Sequence, residues 1–123
     1  MIITIPTISK EMVNGEIKKT KGEMKVNIDT SFLAHLKWEE QFQSIVGYDL
    51  ATYTEMVKIW LKDKSKGKSH FLGLLKLLYC YVNSDELPTF KDFCKLFDVE
   101  IADEILKKIS AVLEEVSKVA SKN

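Results

Sequence analysis

From Met24 to Trp38 the apolar residues fall on even positions: Met24, Val26, Ile28, Phe32, Ala34, Leu36 and Trp38. The odd positions are polar, with Leu33 as the exception. A period of two predicts a strand with one buried face, broken or bent near Asp29-Thr30-Ser31. A competing reading starts a helix there, capped by Asp29 or Ser31 and containing Glu39 and Glu40. Upstream, Ile2-Ile3-Thr4-Ile5 is a short β-prone run closed by Pro6, which suits an edge strand. Residues 9–23 hold Gly15, Gly22 and lysines 10, 18, 19 and 21 but few large apolar groups. They are expected to form a mobile loop or a long hairpin connection.

After Gly47 the period becomes helical. Asp49 is placed to cap a helix reaching about Lys62, with Leu50, Tyr53, Met56, Val57, Trp60 and Leu61 on its apolar stripe. The segment Asp63 to Lys68 is expected to end it through Gly67. A second helix, 69–82, is apolar nearly all round. Such a helix belongs either at the centre of the domain or against a subunit or partner. Residues 83–88 read as a turn. Thr89 caps a short helix, with Asp92 three positions on and Phe90, Phe93, Leu96 and Phe97 facing inward. The last helix, 101–120, carries Ile105, Ile109, Val112, Val116 and Val119 as a stripe. Its Asp103–Lys107, Glu104–Lys108 and Glu114–Lys118 pairs have the favourable acid-first spacing, worth ~0.2–0.5 kcal/mol each. The expected fold class is α+β, mainly α: N-terminal strands or a hairpin, then a four-helix C-terminal part. Residues 1–123 form one domain in this reading, β-rich over 1–46 and helical over 47–123.

Composition narrows the functional classes. Apolar residues at 46% and charged residues at 29% place the chain in the ordinary globular class. The 18 basic residues balance 18 acidic ones, and every basic residue is a lysine. Without arginine there is no bidentate grip on guanine or phosphate, and without net charge no field toward nucleic acid, so nucleic-acid binding is disfavoured. Cys80 and Cys94 read as two buried thiols in a reducing compartment, with a single disulfide as the minor alternative. The N-terminus lacks a basic leader. The richest apolar run, Phe71 to Val82, is interrupted by Lys76 and falls short of the ~20 residues that span a bilayer. Neither a signal peptide nor a membrane span is expected.

Candidate chemistry is sparse. Lys66-Gly67-Lys68-Ser69 ends like a P-loop, but Lys62 stands where the first glycine belongs, and the segment follows a helix instead of a strand. The plainer reading is a basic turn at the negative end of a helix dipole. His35 and His70 have no ligand-type residues at metal-site spacing. Glu39-Glu40 and Glu114-Glu115 are adjacent, hence not facing. Cys80 lies in the most apolar helix, where thiolate is disfavoured. No enzyme activity, cofactor or metal is therefore expected. What remains is a surplus of large apolar residues. Trp38, Phe42, Trp60, Phe90, Phe93 and Phe97 are the candidate partner-binding set, weighed against the plain reading that they fill the core.

Two stretches carry a family likeness. Val26-Asn27-Ile28-Asp29-Thr30-Ser31-Phe32, followed by Leu36-Lys37-Trp38-Glu39-Glu40-Gln41-Phe42, resembles the N-terminal signature of tail assembly chaperones from siphophages and prophages of Gram-positive bacteria. Asp49-Leu50 stands where that family opens a helix. Leu77-Leu78-Tyr79-Cys80-Tyr81 and Leu87-Pro88-Thr89-Phe90-Lys91-Asp92-Phe93 resemble its later helix and Thr-Phe-x-x-Phe element. The likeness covers about residues 24 to 117, and Lys37-Trp38 replaces the usual arginine before the Glu-Glu pair. It implies a cytoplasmic viral factor absent from the mature virion. Such a protein self-associates, binds the tape measure protein, keeps it soluble, and promotes assembly of tail tube protein around it. The alternative is a virion structural component such as a head–tail connector or tail completion protein.

Overall fold

The structure, a computed structural model, describes residues 1–82 and 89–121. The turn expected over residues 83–88 lies outside the described residues. The chain opens with a β-hairpin of two long antiparallel strands, β1 (Ile2–Val13) and β2 (Glu16–Asn27), in register from Ile2 opposite Asn27 to Val13 opposite Glu16. Residues 9–23 are thus strand and turn, not a loop. The turn is Asn14-Gly15, whose φ values of 52° and 80° are those of a two-residue turn matched to strand twist. The outer half of the hairpin has no buried side chain. It therefore lacks the alternation by which strands are recognised. At its base Ile5, Ile8 and Val26 are buried.

β2 leads to Ile28, which bridges Val82, and the Asp29 amide donates to the Tyr81 carbonyl at 2.7 Å. The expected strand stops there. Residues 33–46 are helical, as α1 (Leu33–Gln41) and α2 (Gln43–Val46), so the β-rich part ends near residue 28 and not at 46. The reason is geometric. At about 100° per residue, positions 34 and 38 share one side of a helix and positions 32 and 36 the opposite side. Two apolar pairs on opposite faces of a helix interleave in sequence into strict alternation.

Helices α3 (Leu50–Trp60), α4 (Lys64–Ser69), α5 (Phe71–Tyr81), α6 (Phe90–Cys94) and α7 (Ala102–Ser121) follow, with a 3-10 turn (Val99–Ile101) before the last. The four expected helices are α3, α5, α6 and α7. Asp49 caps α3 by accepting from the Thr52 amide, and Thr89 caps α6 by accepting from the Asp92 amide. The segment expected to break the chain after α3 instead forms α4, capped by Asp63. Gly67 lies buried within α4, where a Cβ would meet Leu106 of α7 at 3.4 Å.

Burial sets the layout. Seven of the eleven residues of α5 are buried, from Leu74 to Tyr81 with Lys76 excepted. It packs against α1, α3, α4, α6 and α7, the central position expected of an all-apolar helix. The stripe of α7 is buried at Ile105, Ile109 and Val112, and Val119 is exposed. Asp103 and Glu104 face Lys68 and Lys21 on other elements, at 3.5 and 3.9 Å.

Candidate protein-interaction surface

The six aromatic residues singled out from the sequence build the interior. Trp38 and Phe93 are fully buried, Phe42 and Phe97 nearly so. Trp60 and Phe90 are half-buried and pack against the core. The rings are continuous: Trp38 stacks on Tyr53 at 4.8 Å, Phe42 meets Phe90 edge-on at 5.2 Å, and Phe93 meets Phe97 at 4.9 Å. Trp60 stacks on His70 at 3.9 Å. Aromatic groups of this size stabilise most when enclosed, and edge-to-face contacts add to that. Their apolar area is spent on holding α1, α3, α5 and α6 together.

Surface apolar groups lie elsewhere: on the hairpin at Ile2, Met12 and Ile17, at Ile59, Leu72 and Val99, and as a neighbouring set, Phe32, Leu33 and Leu36, at the start of α1. The helix starts from an Asx-type turn. Asp29 Oδ1 accepts from the Ser31 amide at 2.8 Å, and Ser31 Oγ accepts from the Leu33 amide at 3.2 Å. Hydrogen bonding from the Ser31 hydroxyl, and then from its amide, holds the Asp29 carboxyl below its ordinary range. Three groups fix the helix rotation. Ala34 and Trp38 are buried, Trp38 Nε1 donating to the Tyr48 carbonyl at 2.8 Å. Lys37 is also buried, its Nζ donating to the Val82 and Tyr79 carbonyls at 2.8 and 3.2 Å. A cation at the carbonyl end of α5 satisfies acceptors the helix leaves open and lies at the favourable end of its dipole.

That rotation turns Phe32, Leu33 and Leu36 outward, at 86%, 46% and 49% exposure. Ile45 on α2, 74% exposed, and Tyr48 extend the apolar set. Helix α1 is thus apolar on two opposite sides, one covered by α5 and one open, flanked by exposed Glu39 and Glu40. The sequence pattern hid this face, because a strand reading places Phe32 and Leu36 in the core beside Trp38. The available signal was the capping pair Asp29 and Ser31 of the helical alternative.

The remaining chemistry is structural. Asp98 accepts from the Glu100 amide and from Lys10 and Lys19 at 3.0 and 3.2 Å. These bonds hold its carboxyl down to about 2. With the Ile8 amide donating to the Leu96 carbonyl, this cluster fastens the hairpin to the helical part. Burial pushes the Cys80 thiol up to about 12, and Cys94 is half-buried with its thiol also raised by burial. Among the described residues no three His, Cys, Asp or Glu side chains gather as a metal site, and no helix is long and apolar enough to cross a membrane. Lys66-Gly67-Lys68-Ser69 lies inside α4, with the Gly67 amide bonded to the Asp63 carbonyl. Comparison with protein-family models, curated proteins and solved structures finds no match to this chain.

Proposed function

We propose that this protein is a phage tail assembly chaperone that binds the tape measure protein, keeps it soluble and releases it as tail tube subunits polymerise. The observation that supports this reading is the open face of α1. The two stretches resembling the family's signature, Val26 to Phe32 and Leu36 to Phe42, hold the exposed Phe32 and Leu36, with exposed Leu33 between them. A long helical client presents repeated apolar stripes, and a short helix with an exposed apolar side packs on such a stripe as helices pack on each other. Covering one Phe-sized side chain contributes about 1.5–3 kcal/mol. A single contact is then weak and reversible, while many chaperone copies along one client hold firmly together. In this reading the protein acts by binding and catalyses nothing. It works in the host cytoplasm and leaves before the virion is complete.

The test is co-expression with the tape measure protein of the same phage. The chaperone should raise the soluble fraction of that protein and be recovered with it. Phe32→Ser should abolish both effects while the variant stays folded, because an exposed side chain contributes little to stability. No difference in tape measure solubility with and without the chaperone sinks the proposal. So does finding the protein in purified particles by mass spectrometry, which is the result a head–tail connector would give.

A further inference from the structure

The structure assigns Asn14, at the hairpin tip, as a site of self-deamidation paced by how firmly the hairpin is tethered. Asn14 is the only asparagine in the chain followed by glycine. Asparagine is a thermolabile residue, and a glycine after it removes the side chain that would shield the attacking nitrogen. Both turn residues are exposed, with φ values of 52° and 80°. Val13 and Glu16 close the ladder, so Asn14 and Gly15 stand outside it. Among the described residues, neither the Asn14 side-chain amide nor the Gly15 amide has a hydrogen-bond partner. A Cβ at position 15 would meet nothing within 4 Å, so the space beside the Gly15 nitrogen is open. An amide carbonyl and an unhindered backbone nitrogen are thus chain neighbours, both in water.

The reaction balances with water alone. Hydroxide removes the Gly15 amide proton, and that nitrogen attacks Cγ of Asn14. The Cγ–Nδ2 bond breaks, and Nδ2 leaves as ammonia with a proton from water. The product is a five-membered imide, which water opens at one of its two carbonyls. Opening at Cγ gives aspartate, and opening at the main-chain carbonyl gives isoaspartate, with the backbone running through Cγ. A residue held in the left-handed turn conformation cannot set its Cγ against the following nitrogen, so the tip must open first. Opening is cheap there, since no side chain from residue 9 to residue 23 is buried and a lone two-stranded ribbon is marginal. What restrains it is the set of bonds from Lys10 and Lys19 to Asp98 and Glu100. The aspartate product keeps the turn, because Asp-Gly favours it as Asn-Gly does. Isoaspartate lengthens the main chain by a methylene, so Met12 and Ile17 lose their pairing and the outer hairpin frays. The inference stands whether or not the protein is a tail chaperone.

The experiment follows the purified full chain during incubation at mildly acid and mildly alkaline pH. Its mass should rise by one unit as ammonia is released, at a rate proportional to hydroxide. Tryptic mapping should place the change in the peptide Glu11–Lys18, as two separable products, one of them a substrate for isoaspartyl methyltransferase. Asn14→Gly keeps a Gly-Gly turn and should stay unmodified. Amide NMR signals of Met12 and Ile17 should double in aged wild type and stay single in aged Asn14→Gly, with those of α5 and α7 unmoved in both. Lys10→Ala with Lys19→Ala cuts the tether through two exposed side chains and should speed the conversion several-fold. A Glu11–Lys18 peptide that keeps its mass at alkaline pH overturns the inference, and so does earlier conversion at Asn27, Asn83 or Asn123. Equal rates with and without the tether overturn it too, because the hairpin's attachment then does not pace the reaction.

Discussion

Gly73, in the first turns of the central helix α5, offers the sharpest test of the packing. In an ordinary helix interior Gly→Ala gains about 0.5–1 kcal/mol through lower backbone entropy in the unfolded chain. Here a Cβ would meet the Tyr53 ring of α3, with Cζ at 3.2 Å and the hydroxyl closer still. The ring has little room to withdraw. It is 5% exposed, stacked on Trp38 at 4.8 Å and edge-on to Trp60 at 5.6 Å. Overpacking of this kind costs about 1–3 kcal/mol, more than the helical gain returns. Gly73→Ala should therefore destabilise the fold by about 1–2 kcal/mol. The assay is urea unfolding followed by tryptophan fluorescence, with the midpoint lowered and the slope unchanged. In a Tyr53→Phe background, which removes the closest atom, the same substitution should cost less or become stabilising. A more stable Gly73→Ala variant would refute the close approach. Equal effects in the two backgrounds would show that Tyr53 is not its cause.

Three further outcomes are expected. The Asp98 carboxyl is held below its ordinary value of 3.8, at about 2, so its contribution is complete above about pH 4 and is lost as pH falls toward 2. Amide NMR of Ile8 and its strand neighbours should report release of the hairpin in that window, and signals unmoved down to pH 2 would contradict the clasp. Removing the Lys37 amine by Lys37→Met leaves two carbonyls at the end of α5 without this donor. That should lower stability by about 1–3 kcal/mol in urea unfolding. Iodoacetamide at neutral pH should modify half-buried Cys94 before Cys80, whose labelling by peptide mass spectrometry should wait for denaturant.

How far the fold could be read from the chain depends on where each element's information lies. Helices α3 and α6 announced themselves through Asp49 and Thr89, because a cap is a local bond between neighbours in sequence. The all-apolar pattern of α5 left two places open, the domain centre or a partner contact, and its packing against five other helices is the first of them. The hairpin was missed in its outer half because strand patterns record burial, and no side chain there is buried. Asn14-Gly15 carried the signal instead, through backbone conformation. The interaction surface was the hardest part. Size and aromaticity pointed to Trp38, Phe42 and Phe93, yet the rotation of α1 is fixed by Lys37 reaching the Val82 carbonyl, 45 positions away. The one local clue was the capping pair Asp29 and Ser31, which places Phe32 at a helix start and not in a strand.

The clasp at Asp98 joins distant parts of the chain: Lys19 meets Glu100 across 81 intervening steps of sequence. During synthesis the hairpin emerges early, and its anchorage appears only when the 3-10 turn and α7 leave the ribosome. An isolated two-stranded ribbon is marginal in water, so for most of translation this arm has nothing to hold it down. The nascent protein thus spends that interval with its lysine-bearing arm unsecured, until the segment around Asp98 and Glu100 arrives to hold it.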